Sequence, residues 1–292
     1  MSLNFWDFKN KSVKQGHKFI KMHGLLNDFV VVDARKHKFN PHTSEIIKIC
    51  DRRKGIGGDQ LVIIEPSKND SYAFIRFFNP DGKEVKACGN ATRCLGLFFF
   101  LESGMEKLSI QTMAGNLECT RAGKNRVSIN MGKIKTKWHE IPLSKNIDTL
   151  NLNISSGPLI DPVAVNVGNP HAVFFVDNLD NIDLKKHCSI LQKNSIFPEH
   201  ANIGVAQLID FKTLRLSVWE RPGMLTPACG TGACAAVAAA FRRGLISEKS
   251  ITKCITVIMP AGNIEIKINK DNTFVMTGPA EFSYTGFLLP SE

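Results

Sequence analysis

Two cysteines stand out by their surroundings. Ala87-Cys88-Gly89-Asn90 recurs 141 residues later as Ala228-Cys229-Gly230-Thr231. Each opens an apolar, helix-like run, 89–102 and 230–243, with Gly104 and Gly244 as stop signals. A cysteine at a helix start meets free backbone N–H groups and the positive end of the helix dipole, which favours its thiolate by about 0.3–2 kcal/mol. If a pseudo-twofold axis sets two such sulfurs face to face across a cleft, they suit the inversion of a carbon centre by proton transfer. That reaction needs a base on one face and an acid on the other, and a thiolate and thiol of matched strength exchange the roles for the reverse direction. The same helix starts favour a substrate carboxylate. A lone cysteine reads as a core residue, and so do Cys94 and Cys234, one to two turns into the helices. Symmetric placement singles out Cys88 and Cys229 as the catalytic pair.

The elements that position them come from an internal duplication. Ala114-Gly115-Asn116-Leu117-Glu118 recurs as Ala261-Gly262-Asn263-Ile264-Glu265 at an offset of 147, and Gly132 matches Gly278 at 146. Residues 24–33 lie without a gap over 168–177. The two copies cover 17–132 and 160–278. The expected division is an N-terminal extension 1–16, a first domain 17–132 that includes the tail 279–292, and a second domain 133–278. Strands are expected at 29–32, 61–64, 73–78, 173–176, 214–219 and 256–259 from β-branched and aromatic runs. The second helix, rich in Ala and Val, has little polar face, so protein must surround it. The fold class expected is α+β: two pseudo-symmetric domains, each a mostly antiparallel or mixed sheet wrapped about a central buried helix, with the site in the cleft between them.

Other polar residues are less decisive singly. Asn79-Pro80-Asp81-Gly82 and Asn169-Pro170 read as turns or as site amides. Gly57-Gly58-Asp59-Gln60 is a weak phosphate-loop signal, lacking Lys-Ser/Thr. His171 reads as an acid–base group or a core histidine. Glu220-Arg221, at a strand end, is an ion-pairing couple or a clamp for a zwitterion.

Composition excludes several classes. With 292 residues and 43% hydrophobic content the chain can bury cores, and no run approaches the ~20 apolar residues of a spanning helix. No secretory signal is visible in the first twenty residues. The net charge of +10 is scattered, so nucleic-acid binding is not expected. The eight cysteines contain no Cys-x-x-Cys pair, which argues against a zinc or thioredoxin site and for a reducing cytoplasm.

Taken together, the motifs resemble the diaminopimelate epimerase family. Lys21-Met22-His23-Gly24 with Asn27-Asp28-Phe29 looks like its opening motif, and Gly57-Gly58-Asp59-Gln60 its second. Asn79-Pro80-Asp81-Gly82 leads to Cys88-Gly89-Asn90-Ala91-Thr92-Arg93-Cys94, similar to its first cysteine signature. Gly168-Asn169-Pro170-His171 and Asn202 match further positions, and Trp219-Glu220-Arg221 leads to the second signature at Cys229. The resemblance implies that Cys88 and Cys229 are the acid/base pair and that His171 and Glu220 adjust their pKa values. Substrate contacts then fall to Asn27, Gln60, Asn79, Gly89, Asn90, Asn169, Asn202, Glu220, Arg221, Gly230 and Thr231. It also implies a metal-free, cofactor-independent homodimer that epimerises LL-2,6-diaminopimelate to the meso form in lysine and peptidoglycan-precursor synthesis. The sequence departs from the family pattern at Leu26, where glycine is usual, at Lys83, usually Ser or Thr, and at Pro222 and Met224, where the loop usually has glycines. The alternatives are a proline or hydroxyproline racemase-like enzyme of the same fold, which typically has His where Asn90 stands, and a non-enzymatic thiol redox protein.

Overall fold

The computed structural model describes residues 16–86, 88–221, 223–247 and 254–288. All of the expected extension but Gly16 therefore lies outside the described residues. The first half runs β1 (His17–Gly24), β2 (Asn27–Asp33), α1 (Thr43–Cys50), β3 (Gln60–Glu65), β4 (Ala73–Phe78), β5 (Glu84–Val85), α2 (Gly89–Ser103), β6 (Lys107–Thr112), β7 (Gly115–Gly123) and β8 (Arg126–Lys133). A small hairpin, β9 (Ser155–Ser156) and β10 (Leu159–Ile160), precedes the second half. That half repeats the order: β11 (Val163–Asn166), β12 (Pro170–Phe175), α3 (Leu184–Gln192), β13 (Asn202–Asp210), β14 (Thr213–Glu220), β15 (Met224–Thr226), α4 (Gly230–Arg242), β16 (Ile255–Met259), β17 (Gly262–Ile268) and β18 (Thr273–Pro279). β19 (Glu281–Leu288) closes the described chain.

The sheet is mixed, and the mixing places the cysteines. β4 and β6 run parallel, as do β14 and β16. Parallel neighbours need a crossover, and here each crossover is a helix, α2 or α4. Cys88 and Cys229 are the N-cap residues of those two helices, where the chain leaves the sheet. Gly104 (φ 73°) and Gly244 (φ 69°) end them in the left-handed conformation, as the stop signals predict.

β8 and β18 pair antiparallel, with Ile129 opposite Met276, and fuse the halves into one 17-stranded hydrogen-bonded sheet. The halves also exchange their ends. β19 pairs with β1, the first strand of the opposite half, with Phe19 opposite Gly286. Lys135, just past β8, bridges Asn166 of β11 in the mirrored way. α2 packs against β1, β2, β6, β7 and β8, and α4 against β11–β14, β17 and β18. Phe99 and Phe100 fill the core of the first half; the alanines of 233–240, all buried, let the strands of the second half close tightly on α4. The two helices touch each other.

Leu25 and Leu26 form the two-residue turn between β1 and β2, with φ of 55° and 62°. A turn of this kind favours glycine or asparagine. The glycine usual in the resembled family fits that need, and Leu26 meets it at a cost of about 1–2 kcal/mol while its side chain stays exposed.

Candidate active site

Each half brings a short chain of polar side chains to its cysteine. In the first, β2 and β3 pair in parallel with Phe29 opposite Gln60, which sets Asp59 beside the start of β2. Asp59 Oδ2 accepts from Asn27 Nδ2 at 2.7 Å and from the Asp28 N–H at 3.1 Å, while Arg52 holds Oδ1 at 2.8 Å. A carboxylate only accepts, so Asn27 turns its amide nitrogen to Asp59 and its Oδ1 to Asn90, whose Nδ2 donates at 3.1 Å. Asn90 Oδ1 is then left buried and without a partner. Gln60 Nε2 donates to Asn79 Oδ1 at 3.0 Å, leaving Gln60 Oε1 in the same condition. These unmet acceptors suit substrate donors.

The second chain is built on His171, which is fully buried on β12 opposite Asn202 of β13. Its Nε2 lies 3.0 Å from Asn169 Oδ1, 3.1 Å from Thr231 Oγ1 and 3.4 Å from Asn202 Nδ2. Asn202 Oδ1 accepts from the Arg221 N–H at 3.0 Å, which ties the strand end to the cluster. Thr231 Oγ1 is 3.5 Å from Cys229 Sγ, and that sulfur accepts from the Gly232 N–H at 3.3 Å. Burial, with a smaller push from Arg221, holds His171 down at a pKa of about 3, so its ring is neutral.

The two helix starts adjoin. A Cβ on Gly230 would come within 3.5 Å of Asn90 Oδ1 and 2.6 Å of Met276 Sδ, and one on Gly89 within 3.2 Å of Met276 Cε. Met276 thus fills the space against both, and any side chain at Gly230 would displace it. Glu220 bears on both cysteines: its carboxylate accepts from Thr226 Oγ1 at 2.5 Å, faces the Cys229 thiol and also acts on Cys88.

The expectation of stabilised thiolates fails in sign. Burial pushes Cys88 up to about 11, against the pull of the Ala91 and Asn90 amides and the Arg93 guanidinium. Cys229 is driven well above the ordinary thiol value by burial and then by Glu220, although Thr231 and Gly232 pull it down. The helix-start effect is present, but loss of water outweighs it. Glu220 is itself raised by burial.

The ambiguous residues resolve. Glu220 and Arg221 do not pair: Glu220 turns to Thr226 and Cys229, and Arg221 Nη1 donates to the Glu199 carbonyl at 2.9 Å. Asn79 closes the turn with its backbone N–H to the Lys83 carbonyl, 2.9 Å, and leaves its side chain for Gln60. Lys83 is an exposed turn residue. Met224 pairs with Glu220 across a tight hairpin that turns through Gly223, φ 145°; Pro222 lies outside the described residues. Asp59 is not a phosphate-loop residue but the anchor of Asn27. Asp59, Thr226 and Met276 were not legible as site residues. Only the duplication hints at one of them, since Met276 lies two before the repeated Gly278.

Paired halves, each with strands packed around a crossover helix, are a fold this chain shares with other solved proteins. A hydroxyproline epimerase from Agrobacterium vitis superposes with a TM-score of 0.65 at 12% identity, over 94% of this chain and 93% of that one. A phenazine biosynthesis protein of the PhzF family from Bacillus anthracis gives 0.64 at 16%, over 94% and 100%. At such identities the likeness is one of fold alone. Sequence narrows it further: the profile of the family described as diaminopimelate epimerase matches residues 19–137 and 163–283, one segment in each half. A diaminopimelate epimerase of Phenylobacterium zucineum is 42% identical over 281 residues, 95% of this chain and 99% of that one. One from Gluconobacter oxydans is 44% identical over 269 residues, 92% and 97%. The chain belongs to the diaminopimelate epimerase family.

Proposed function

We propose that this protein interconverts LL- and meso-2,6-diaminopimelate by a two-base mechanism, with Cys88 and Cys229 as the bases, in lysine and peptidoglycan-precursor synthesis. The observation that carries the reading is the adjacency of two cysteine-capped helix starts in a chain so similar to named diaminopimelate epimerases. One thiolate removes the α-proton while the opposite thiol delivers a proton to the other face, so the charge on the sulfurs is exchanged and the centre inverts. The N–H groups at Gly89-Asn90 and Gly230-Thr231 hold the α-carboxylate and stabilise the charge that develops on it. Gln60 Oε1 and Asn90 Oδ1 accept from ammonium groups. Asn27, Asn79, Asn169, Asn202, Glu220 and Arg221 hold the rest of the substrate, Glu220 and His171 adjusting the thiols. The working form is a cytoplasmic homodimer without cofactor or metal, each subunit dividing into 17–132 with 279–292, and 133–278.

Incubation with LL-diaminopimelate in deuterated water tests this: one deuterium at the inverted α-carbon is expected. A folded protein that incorporates none, or that acts on hydroxyproline instead, overturns the reading in favour of a redox protein or a proline-type racemase.

A further inference from the structure

Turning an asparagine amide over exchanges a donor for an acceptor, and Asn27 and Asn90 could turn together without losing the bond between them. That bond, 3.1 Å from Asn90 Nδ2 to Asn27 Oδ1, therefore does not choose which end of Asn90 is left over. Asp59 makes the choice. Its Oδ2, 2.7 Å from Asn27 Nδ2, is a carboxylate oxygen with no hydrogen to give, so Asn27 must present its nitrogen there and its oxygen to Asn90. Asn90 then commits its nitrogen to Asn27. Its Oδ1 stays buried and without a partner among the described residues, 3.5 Å from where a Cβ on Gly230 would lie.

Asp59 is itself firmly held. Arg52 Nη2 donates to its Oδ1 at 2.8 Å, and the Asp28 N–H to its Oδ2 at 3.1 Å. The same Arg52 forks onto Asp28, Nη1 to Oδ2 at 2.9 Å and Nη2 to Oδ1 at 2.6 Å. The buried Lys21 donates to Asp28 Oδ2 at 2.6 Å and to the Gly57 carbonyl. Two carboxylates and two cations thus brace one another where β2 and β3 begin. The architecture alone does not demand charge there. By the repeat and the strand register, Asp28 and Asp59 correspond to Ala172 and Ile203 of the second half, both fully buried in its core. In that half Thr231 stands where Asn90 does, and a hydroxyl both donates and accepts, so its polarity needs no lock.

Resting on the reading of the site given above, we propose that Asp59 is a positioning residue that, through Asn27, fixes the Asn90 amide with its oxygen toward the second helix start, so that this corner of the site takes an ammonium group and turns away a carboxylate. Asp59 acts two side chains away from the ligand and touches none of the reacting atoms. Arg52 holds its far oxygen, Asp28 holds Arg52, and Lys21 holds Asp28, so the polarity of one amide in the site is set by an ion-pair cluster outside it.

Neutron diffraction from deuterium-exchanged crystals of the ligand-free wild type locates amide deuterons directly. The deuterons of Asn90 should lie on the atom that meets Asn27, and those of Asn27 on the atom that meets Asp59. Deuterons on the Asn90 atom nearest Gly230 overturn the proposal. Kinetics test the consequence. Asp59→Asn keeps the shape but can donate as well as accept, so it no longer forces the choice. Its kcat/KM for LL-diaminopimelate should fall at least about tenfold, whereas in an Asn90→Ala background the same change should lower it less than about twofold. Equal losses in the two backgrounds, or no loss in folded Asp59→Asn, also overturn it. The neutron result needs neither a substrate nor a variant that folds, so a failure here is separable from an absence of deuterium exchange with diaminopimelate.

Discussion

Asn27 and His171 occupy the same place in the two halves and do the same work. The gapless repeat sets one over the other, and each reaches the side chain two residues past its own half's cysteine: Asn27 to Asn90 at 3.1 Å, His171 to Thr231 at 3.1 Å. The backbone symmetry is kept while the chemistry diverges, an amide held by a carboxylate on one side and a neutral imidazole on the other.

The first prediction concerns the thiols. Cys88→Ala and Cys229→Ala should each lower kcat/KM for epimerisation at least about 10³-fold, since each serves one face, with the thermal melt little changed. Near-normal turnover by either variant would refute the two-base assignment. Cys94→Ala and Cys234→Ala, both in the core, should retain activity and lose about 1 kcal/mol of stability.

Arg221 offers a kinetic test of the clamp. Among the described residues its Nη1 donates to the Glu199 carbonyl at 2.9 Å, and the planar fork carries four further N–H donors suited to a carboxylate. Arg221→Lys should reduce kcat/KM at least about tenfold, ~1.4 kcal/mol. An unchanged value with an unchanged melt would mean that the guanidinium fork is not used.

Acid stability should carry the mark of His171. Its folded pKa of about 3 lies below the ~6.5 of an unfolded histidine. Between those values the unfolded chain binds a proton that the folded chain refuses, so stability should fall as pH drops through that window. Below about pH 4 a second loss should join it. The Asp28 carboxylate, despite burial, is held well below the usual range by Arg52 and Lys21, and its contribution vanishes on protonation. Urea midpoints from pH 7 to 4 should decline less steeply in His171→Gln; an identical slope would remove His171 from the account.

Oxidation is the fourth case. All eight cysteines are free, and the two cysteine-capped helices touch. Mild oxidant should inactivate the protein by joining Cys88 to Cys229, two thiols giving up two electrons and two protons, with reversal by a thiol reductant. Peptide mapping that finds these two unlinked in an inactivated sample would exclude it.

Much of this was legible in the sequence because a duplicated chain announces its own framework. The Cys-Gly pairs, the glycine stops and the apolar helices gave α2 and α4, and the β-branched runs at 61–64 and 214–219 fell inside β3 and β14. What stayed hidden depends on register and depth. Asp59 reaches Asn27 only through the parallel pairing of β2 with β3, a relation between residues 32 apart that no local pattern records. A helix start is visible in sequence, but how much water it keeps is not, so the direction of the thiol pKa values could not be read.

The exchange of ends between halves bears on how the protein is made. β1 has β2 on one side and β19 on the other, so one edge of the first described strand waits for the last described one. Until then that edge is an open template for pairing with another nascent chain. The first half cannot complete itself during translation, and a topology this rich in distant contacts folds slowly. Its synthesis therefore carries an interval of strand-edge exposure that a chain with self-contained halves would not have.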